Sequence, residues 1–122
     1  MTKEEYIEKI IQLSSQLCQK PDDYTKNKVK EHNKAARKLT VLENALANDI
    51  EMAKEVFGEL LESENMFIKQ NAATHCLELS LHIKKSVKIL EHICKKGEVW
   101  NAMGAERQLK IWRGEIEPDD PG

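Results

Sequence analysis

Ile50-Glu51-Met52-Ala53-Lys54-Glu55-Val56-Phe57-Gly58-Glu59-Leu60-Leu61 stands 33 residues ahead of Ile83-Lys84-Lys85-Ser86-Val87-Lys88-Ile89-Leu90-Glu91-His92-Ile93-Cys94. Without a gap the two runs pair Ile50 with Ile83, Val56 with Ile89, Phe57 with Leu90, Leu60 with Ile93 and Leu61 with Cys94. The following stretch keeps the register, pairing Met66 with Val99, Phe67 with Trp100, Ala72 with Ala105, Cys76 with Leu109 and Leu79 with Trp112. A chance overlay of two helical stripes would lose phase at the intervening loop, so agreement across both helices reads as a repeat. Two stacked helical hairpins follow, and the two helices ahead of them form a third, more divergent capping unit.

Helix breakers are placed to suit this reading. The three prolines of the 122-residue chain are Pro21, Pro118 and Pro121, and only Gly58 precedes Gly97 among the glycines. A β-rich fold needs turn residues every eight to twelve positions, and a phosphate-cradling loop needs clustered glycines. Neither pattern is present. Gly58 lies inside a predicted helix, where glycine costs about 1 kcal/mol against alanine; close packing is one reason to tolerate it.

Six helices are expected. Thr2 and Glu5 form a capping box, followed by Tyr6, Ile10, Leu13 and Leu17 with Ile7, Ile11 and Cys18 beside them, a stripe broad enough for more than one neighbour. Pro21-Asp22-Asp23 separates this helix from the second, whose buried face is Tyr24, Ala35, Leu39, Leu42 and Leu46. Asn48-Asp49 caps the third and Ser63-Glu64-Asn65 leads into the fourth, with Phe67, Ile68, Ala72, Ala73, Cys76 and Leu79 inward. The fifth carries Ile83, Val87, Leu90, Ile93 and Cys94 and stops at Lys96-Gly97, where a C′ glycine is expected. A sixth runs from about Trp100 to Gly114. Residues 1–114 are expected to form a single helical-repeat domain, and the acidic, proline-containing residues 115–122 an unpacked tail.

The run Phe67-Ile68-Lys69-Gln70-Asn71-Ala72-Ala73-Thr74-His75-Cys76-Leu77 resembles the second helix of a HEAT-type repeat. With His32-Asn33-Lys34-Ala35-Ala36 ahead of it and Leu109-Lys110-Ile111-Trp112-Arg113-Gly114 behind, residues 24 to 114 are similar to a family of short bacterial HEAT-like domains of unknown function. Lys69 stands where such repeats often carry arginine. The resemblance implies a right-handed α-α superhelix of about three stacked helical hairpins, HEAT/armadillo-like, and it implies no established activity. A toxin-neutralising role is an expectation for small helical proteins of this kind.

Global counts bound the partners. Nineteen bases and twenty-one acids give a net charge of −2, whereas proteins that neutralise many phosphates usually carry a basic excess. Nucleic acid is disfavoured, and no apolar run reaches the length of a membrane span. The polar N-terminal residues do not read as a signal peptide, and three widely spaced cysteines, Cys18, Cys76 and Cys94, read as free buried thiols, so the cytoplasm is expected.

No motif carries catalysis. His75 and Cys76 are adjacent and diverge by about 100° on a helix, so a packed thiol and a half-buried imidazole are expected instead of a catalytic pair. His82 and His92 have no acidic partners at ligand spacing and read as solvated histidines. No cofactor, metal site or enzymatic activity is expected.

Charge is banded despite the small net value. Residues 26–38 hold six bases and one acid, 43–64 seven acids and one base, and 84–96 five bases and one acid. Surface ion pairs between neighbouring hairpins would absorb part of this, each worth up to about 1 kcal/mol. On the second helix, however, Lys26, Lys30, Asn33 and Arg37 form a ridge opposite the buried face. By the HEAT analogy this ridge stands beside Gln70, Thr74, Glu106 and Lys110 on a concave surface suited to a protein partner with an acidic segment. The expected function is a non-catalytic protein-protein interaction module, of inhibitor or immunity type. The alternative is a nucleic-acid-binding HEAT-like protein, because larger HEAT-like proteins include DNA-base glycosylases. No motif encodes an oligomeric state; Trp112 is the residue an apolar array end would use.

Overall fold

The computed structural model describes residues 1–18, 26–97 and 99–115, without the side chains of residues 18, 26–28, 99 and 100. The described residues form six helices and no strand: α1 (Lys3–Cys18), α2 (Lys26–Ala47), α3 (Ile50–Leu60), α4 (Met66–Glu78), α5 (Ile83–Lys96) and α6 (Val99–Trp112). Ile50 opens α3 and Ile83, 33 residues on, opens α5; Met66 opens α4 and Val99, at the same interval, opens α6. Pro21-Asp22-Asp23, Tyr24 and the tail from residue 116 lie outside the described residues.

Three helix starts follow from local chemistry. The Thr2 N–H donates to Glu5 Oε1 and the Glu5 N–H donates to Thr2 Oγ1, both at 3.2 Å, which is the reciprocal capping box of the sequence. Accepting the Thr2 N–H holds the Glu5 carboxyl below its ordinary value. Asp49 Oδ1 accepts from the Met52 N–H at 3.3 Å at the start of α3. Asn65, extended at φ −76°, accepts from the Ile68 N–H at 3.1 Å and is the N-cap of α4.

Contacts divide the chain into two units, Met1–Val56 and Phe57–Gly122, with the division inside α3. In the first, α1 packs on α2. Ile10, Ala35, Leu39 and Leu46 are buried as their period predicts, and Ala53 and Val56 are fully so. The breadth of the α1 stripe misleads at two positions. Ile11 is 41 % exposed, whereas Ser14 is completely buried with a hydroxyl that finds no hydrogen-bond partner. The buried line of α1 therefore runs through Ile10 and Ser14, one turn apart.

In the second unit α4, α5 and α6 pack on one another pairwise. Phe57, Leu60, Leu61, Ile68, Ala72, Ala73, Cys76, Leu90, Ile93, Ala105 and Leu109 make its core. Ile50, Phe67 and Ile83, expected inward, are among the exposed large apolar residues; Ile50 and Ile83 open their helices, and Phe67 lies in the first turn of α4. Ser86, 33 residues after the buried Ala53, is also fully buried, its hydroxyl beside the Cys76 thiol.

Helix ends explain the turn residues. After α4, the Leu81 N–H reaches Cys76 O at 2.7 Å and the Ser80 N–H reaches Leu77 O at 3.3 Å, a Schellman pattern with Ser80 left-handed at φ 59°. After α6 the same pattern recurs, Glu115 N–H to Lys110 O and Gly114 N–H to Ile111 O, with Gly114 at φ 77°. Gly97 differs from expectation. Its φ is −76°, so it is not a left-handed cap, and its requirement is space: a β-carbon there would stand 2.6 Å from Ile93 O.

Candidate functional site

Along α1, Lys9, Gln12, Leu13 and Gln16 follow at i, i+3, i+4 and i+7, and they form one wall of a groove whose other wall is α2. On α2 the lining positions Glu31, Lys34, Ala35, Lys38, Val41 and Leu42 keep the same spacing over three turns, with Arg37 at the edge. Two helices packed side by side leave such a seam, and here its volume is about 740 Å³. Leu13, Ala35, Val41 and Leu42 supply an apolar floor; Val41 is 66 % exposed. Lys9, Lys34, Arg37 and Lys38 set against Glu31 make the rim cationic.

Glu62 pairs with Lys85, Glu91 with Arg113 at 3.0 Å and Glu106 with Lys110 at 3.2 Å, so part of the banding is absorbed as ion pairs within the second unit. Lys34, Arg37 and Lys38 make no ion pair with another described residue, and neither does Lys30. Lys9 lies close enough to Glu5 to help depress its carboxyl.

Of the residues singled out by sequence, Lys30, Asn33 and Arg37 are exposed on α2, and Arg37 reaches the groove. The Lys26 side chain lies outside the described residues. Gln70 and Thr74 belong to α4 in the second unit, half-buried. Gln70 Nε2 donates to the Asn101 carbonyl at 3.2 Å, and Thr74 Oγ1 donates to the Gln70 carbonyl at 3.0 Å. Thr74 also lines a smaller groove of about 460 Å³ between α4 and α6, over Leu77, Ile111 and Trp112. Glu106 and Lys110, their companions on α6, are exposed. The ridge expected on α2 leaves out Lys34 and Lys38, which line the groove. Their signal in the sequence is the spacing of Glu31, Lys34, Lys38 and Val41, in which charged positions continue straight into an apolar one.

Of the His75-Cys76 pair, the thiol is packed and the imidazole half-buried, as expected. Cys76 is fully buried, and burial pushes its thiol up to about 11, the nearby Ser86 hydroxyl opposing slightly. His75 stacks on Phe57 with ring centroids 5.4 Å apart and planes at 16°, and its Nδ1 stands 3.3 Å from Glu78 Oε2. That contact holds the Glu78 carboxyl below its ordinary value against the cost of burial. Cys94 is half-buried, its thiol donating to Ala102 O at 3.8 Å, and burial raises its pKa, reinforced by Glu106 and Glu91. His92 is exposed as expected, whereas His82 is not a solvated side chain: it is half-buried, left-handed at φ 42°, and its ring packs on Gly58.

Among the described residues no group of three His, Cys, Asp or Glu side chains could hold a metal, and no helix is long and apolar enough to cross a membrane. No protein-family model, curated protein or solved structure matches the chain. The α1–α2 groove is thus the described feature in which an apolar floor and uncompensated charge meet.

Proposed function

We propose that the chain is a non-catalytic protein-interaction module that binds an acidic segment of a protein partner through α2, acting as an inhibitor or immunity-type protein. The observation that carries this reading is the set of bases on α2: Lys30, Lys34, Arg37 and Lys38 are exposed and pair with no described acid, beside an apolar groove. Lys85, Lys110 and Arg113 of the second unit meet acids, whereas three of the α2 bases, Lys34, Arg37 and Lys38, line a groove with apolar residues where an external anion can reach them. Electrostatic complementarity of this sort sets on-rate and specificity more than raw affinity.

The proposed framework is a right-handed α-α superhelix of about three HEAT-like hairpins, a resemblance supported by the recurrence of both helix starts at one interval. Stacked hairpins offer extended surfaces instead of deep pockets, which suits recognition of a protein segment.

The test is capture of a partner by the intact protein, followed by titration of that purified partner against wild type and the Lys30→Glu/Arg37→Glu double variant. Loss of about tenfold or more in affinity, with a flatter salt dependence, is expected. Unchanged affinity and salt dependence remove α2 as the site. A salt-titrated gel shift decides the nucleic-acid reading, which binding of duplex DNA that survives physiological salt would bring forward.

A further inference from the structure

Both walls of the α1–α2 groove carry lining residues at helical spacing. Positions 9 to 16 of α1 span about 10 Å and positions 31 to 42 of α2 about 16 Å, at 1.5 Å per residue. Two to three turns of a third helix match that length, and a seam between two packed helices is the surface into which the ridge of another helix fits. The floor is apolar at Leu13, Ala35, Val41 and Leu42, and Lys34, Arg37 and Lys38 stand along its edge without partners among the described residues. A fully charged strand of phosphates would leave that floor unsatisfied, and a purely apolar helix would leave the bases unpaired.

We propose that the α1–α2 groove is a docking site for one amphipathic helix of a partner protein, apolar at i, i+3 or i+4 and i+7, and acidic along the flanking positions. This deepens the acidic-segment reading above and rests on it. The helix lays its apolar stripe on Leu13, Val41 and Leu42, while its carboxylates meet Lys34, Arg37 and Lys38. Removing Val41 from water contributes affinity, and the bases fix which face of the helix enters.

The experiment uses the full chain, labelled for amide chemical-shift mapping, and two synthetic peptides of about 12 residues made of leucine and glutamate. One places leucine at helical spacing; the other has the same composition scrambled so that no face is apolar. The first is expected to shift amides around Leu13, Ala35 and Val41 and to bind about tenfold or more tighter than the scramble. Val41→Glu, at an exposed position that leaves the core intact, and Lys34→Glu/Lys38→Glu are each expected to weaken it about tenfold, circular dichroism remaining unchanged.

Equal affinity for both peptides, abolished by Arg37→Glu, overturns the helix and leaves the acidic-segment reading standing. Failure of both peptides, together with a captured partner insensitive to the α2 charge reversals, sinks both. A single-stranded oligonucleotide competing as well as the peptide makes the groove a phosphate site and overturns the proposal. So do groove shifts that change on dilution of the protein alone, which would make the occupant a second copy of this chain.

Discussion

The imidazole of His82 lies over Gly58: a β-carbon on residue 58 would stand 2.9 Å from His82 Nε2 and 3.3 Å from Cε1. Gly58 sits within α3, directly after the buried Phe57, and His82 precedes α5 in a left-handed conformation. The helix interior thus gives up propensity so that the turn before α5 can close on it. Gly58→Ala gains about 1 kcal/mol of helix propensity but must displace a ring whose backbone is already constrained, so a net loss of about 1 kcal/mol is expected. In a His82→Gly background the same change should stabilise by about 1 kcal/mol. Urea denaturation of the four proteins in the cycle measures the coupling; additivity would refute it.

Ser80 occupies the C′ position that Gly114 occupies after α6, with the same paired backbone hydrogen bonds. A left-handed conformation costs a residue with a β-carbon about 1–2 kcal/mol. Ser80→Gly is expected to raise stability by about 1 kcal/mol, and Gly114→Ser to lower it comparably, read from chemical denaturation midpoints at constant m-value.

Asn65 satisfies the Ile68 N–H at the start of α4. Asn65→Ala should cost about 1 kcal/mol, with Asn65→Asp restoring most of it, because a carboxylate accepts the same bond and complements the helix dipole. Amide hydrogen exchange of the first turn of α4 localises the effect.

Ser14 is buried in α1 with an unpaired hydroxyl, unlike its neighbour Ser15, which donates to Ile11 O at 2.8 Å. Removing a buried hydroxyl that has lost its water without gaining a partner should stabilise, and Ser14→Ala is expected to gain about 1 kcal/mol. A thermal midpoint that falls instead would show that the hydroxyl is satisfied in solution.

Cys76 titrates higher in the fold than in an unfolded chain, from an ordinary 9.0 up to about 11. The unfolded state therefore releases its proton first: the neutral thiol's contribution is complete below pH 9 and is lost as pH rises through 11. Cys76→Ala should flatten the decline of stability over that interval. In the native protein at about pH 8 a thiol reagent should modify Cys94 before Cys76, since Cys76 is fully buried and Cys94 only partly. Mass spectrometry of a timed alkylation reads the order.

Helices and their N-terminal caps come from the chain alone. Thr2 with Glu5, Asp49 and Asn65 cap where their side-chain chemistry places them, because a cap bond is local and needs no tertiary partner. The apolar spacing likewise marks where α3 and α5 begin, since apolar phase is written in the order of residues. Packing, by contrast, selects which flank of each stripe is buried. Ile11 and Ser14 share α1, and packing puts the serine inside and leaves the isoleucine out. Packing also gives Gly58 its reason, because His82 belongs to another part of the chain and reaches it only through the turn before α5. The groove is of the same kind: the spacing of Glu31, Lys34, Lys38 and Val41 reads as one more solvated face of α2 until Leu13 of α1 is brought alongside, because the second wall comes from another helix.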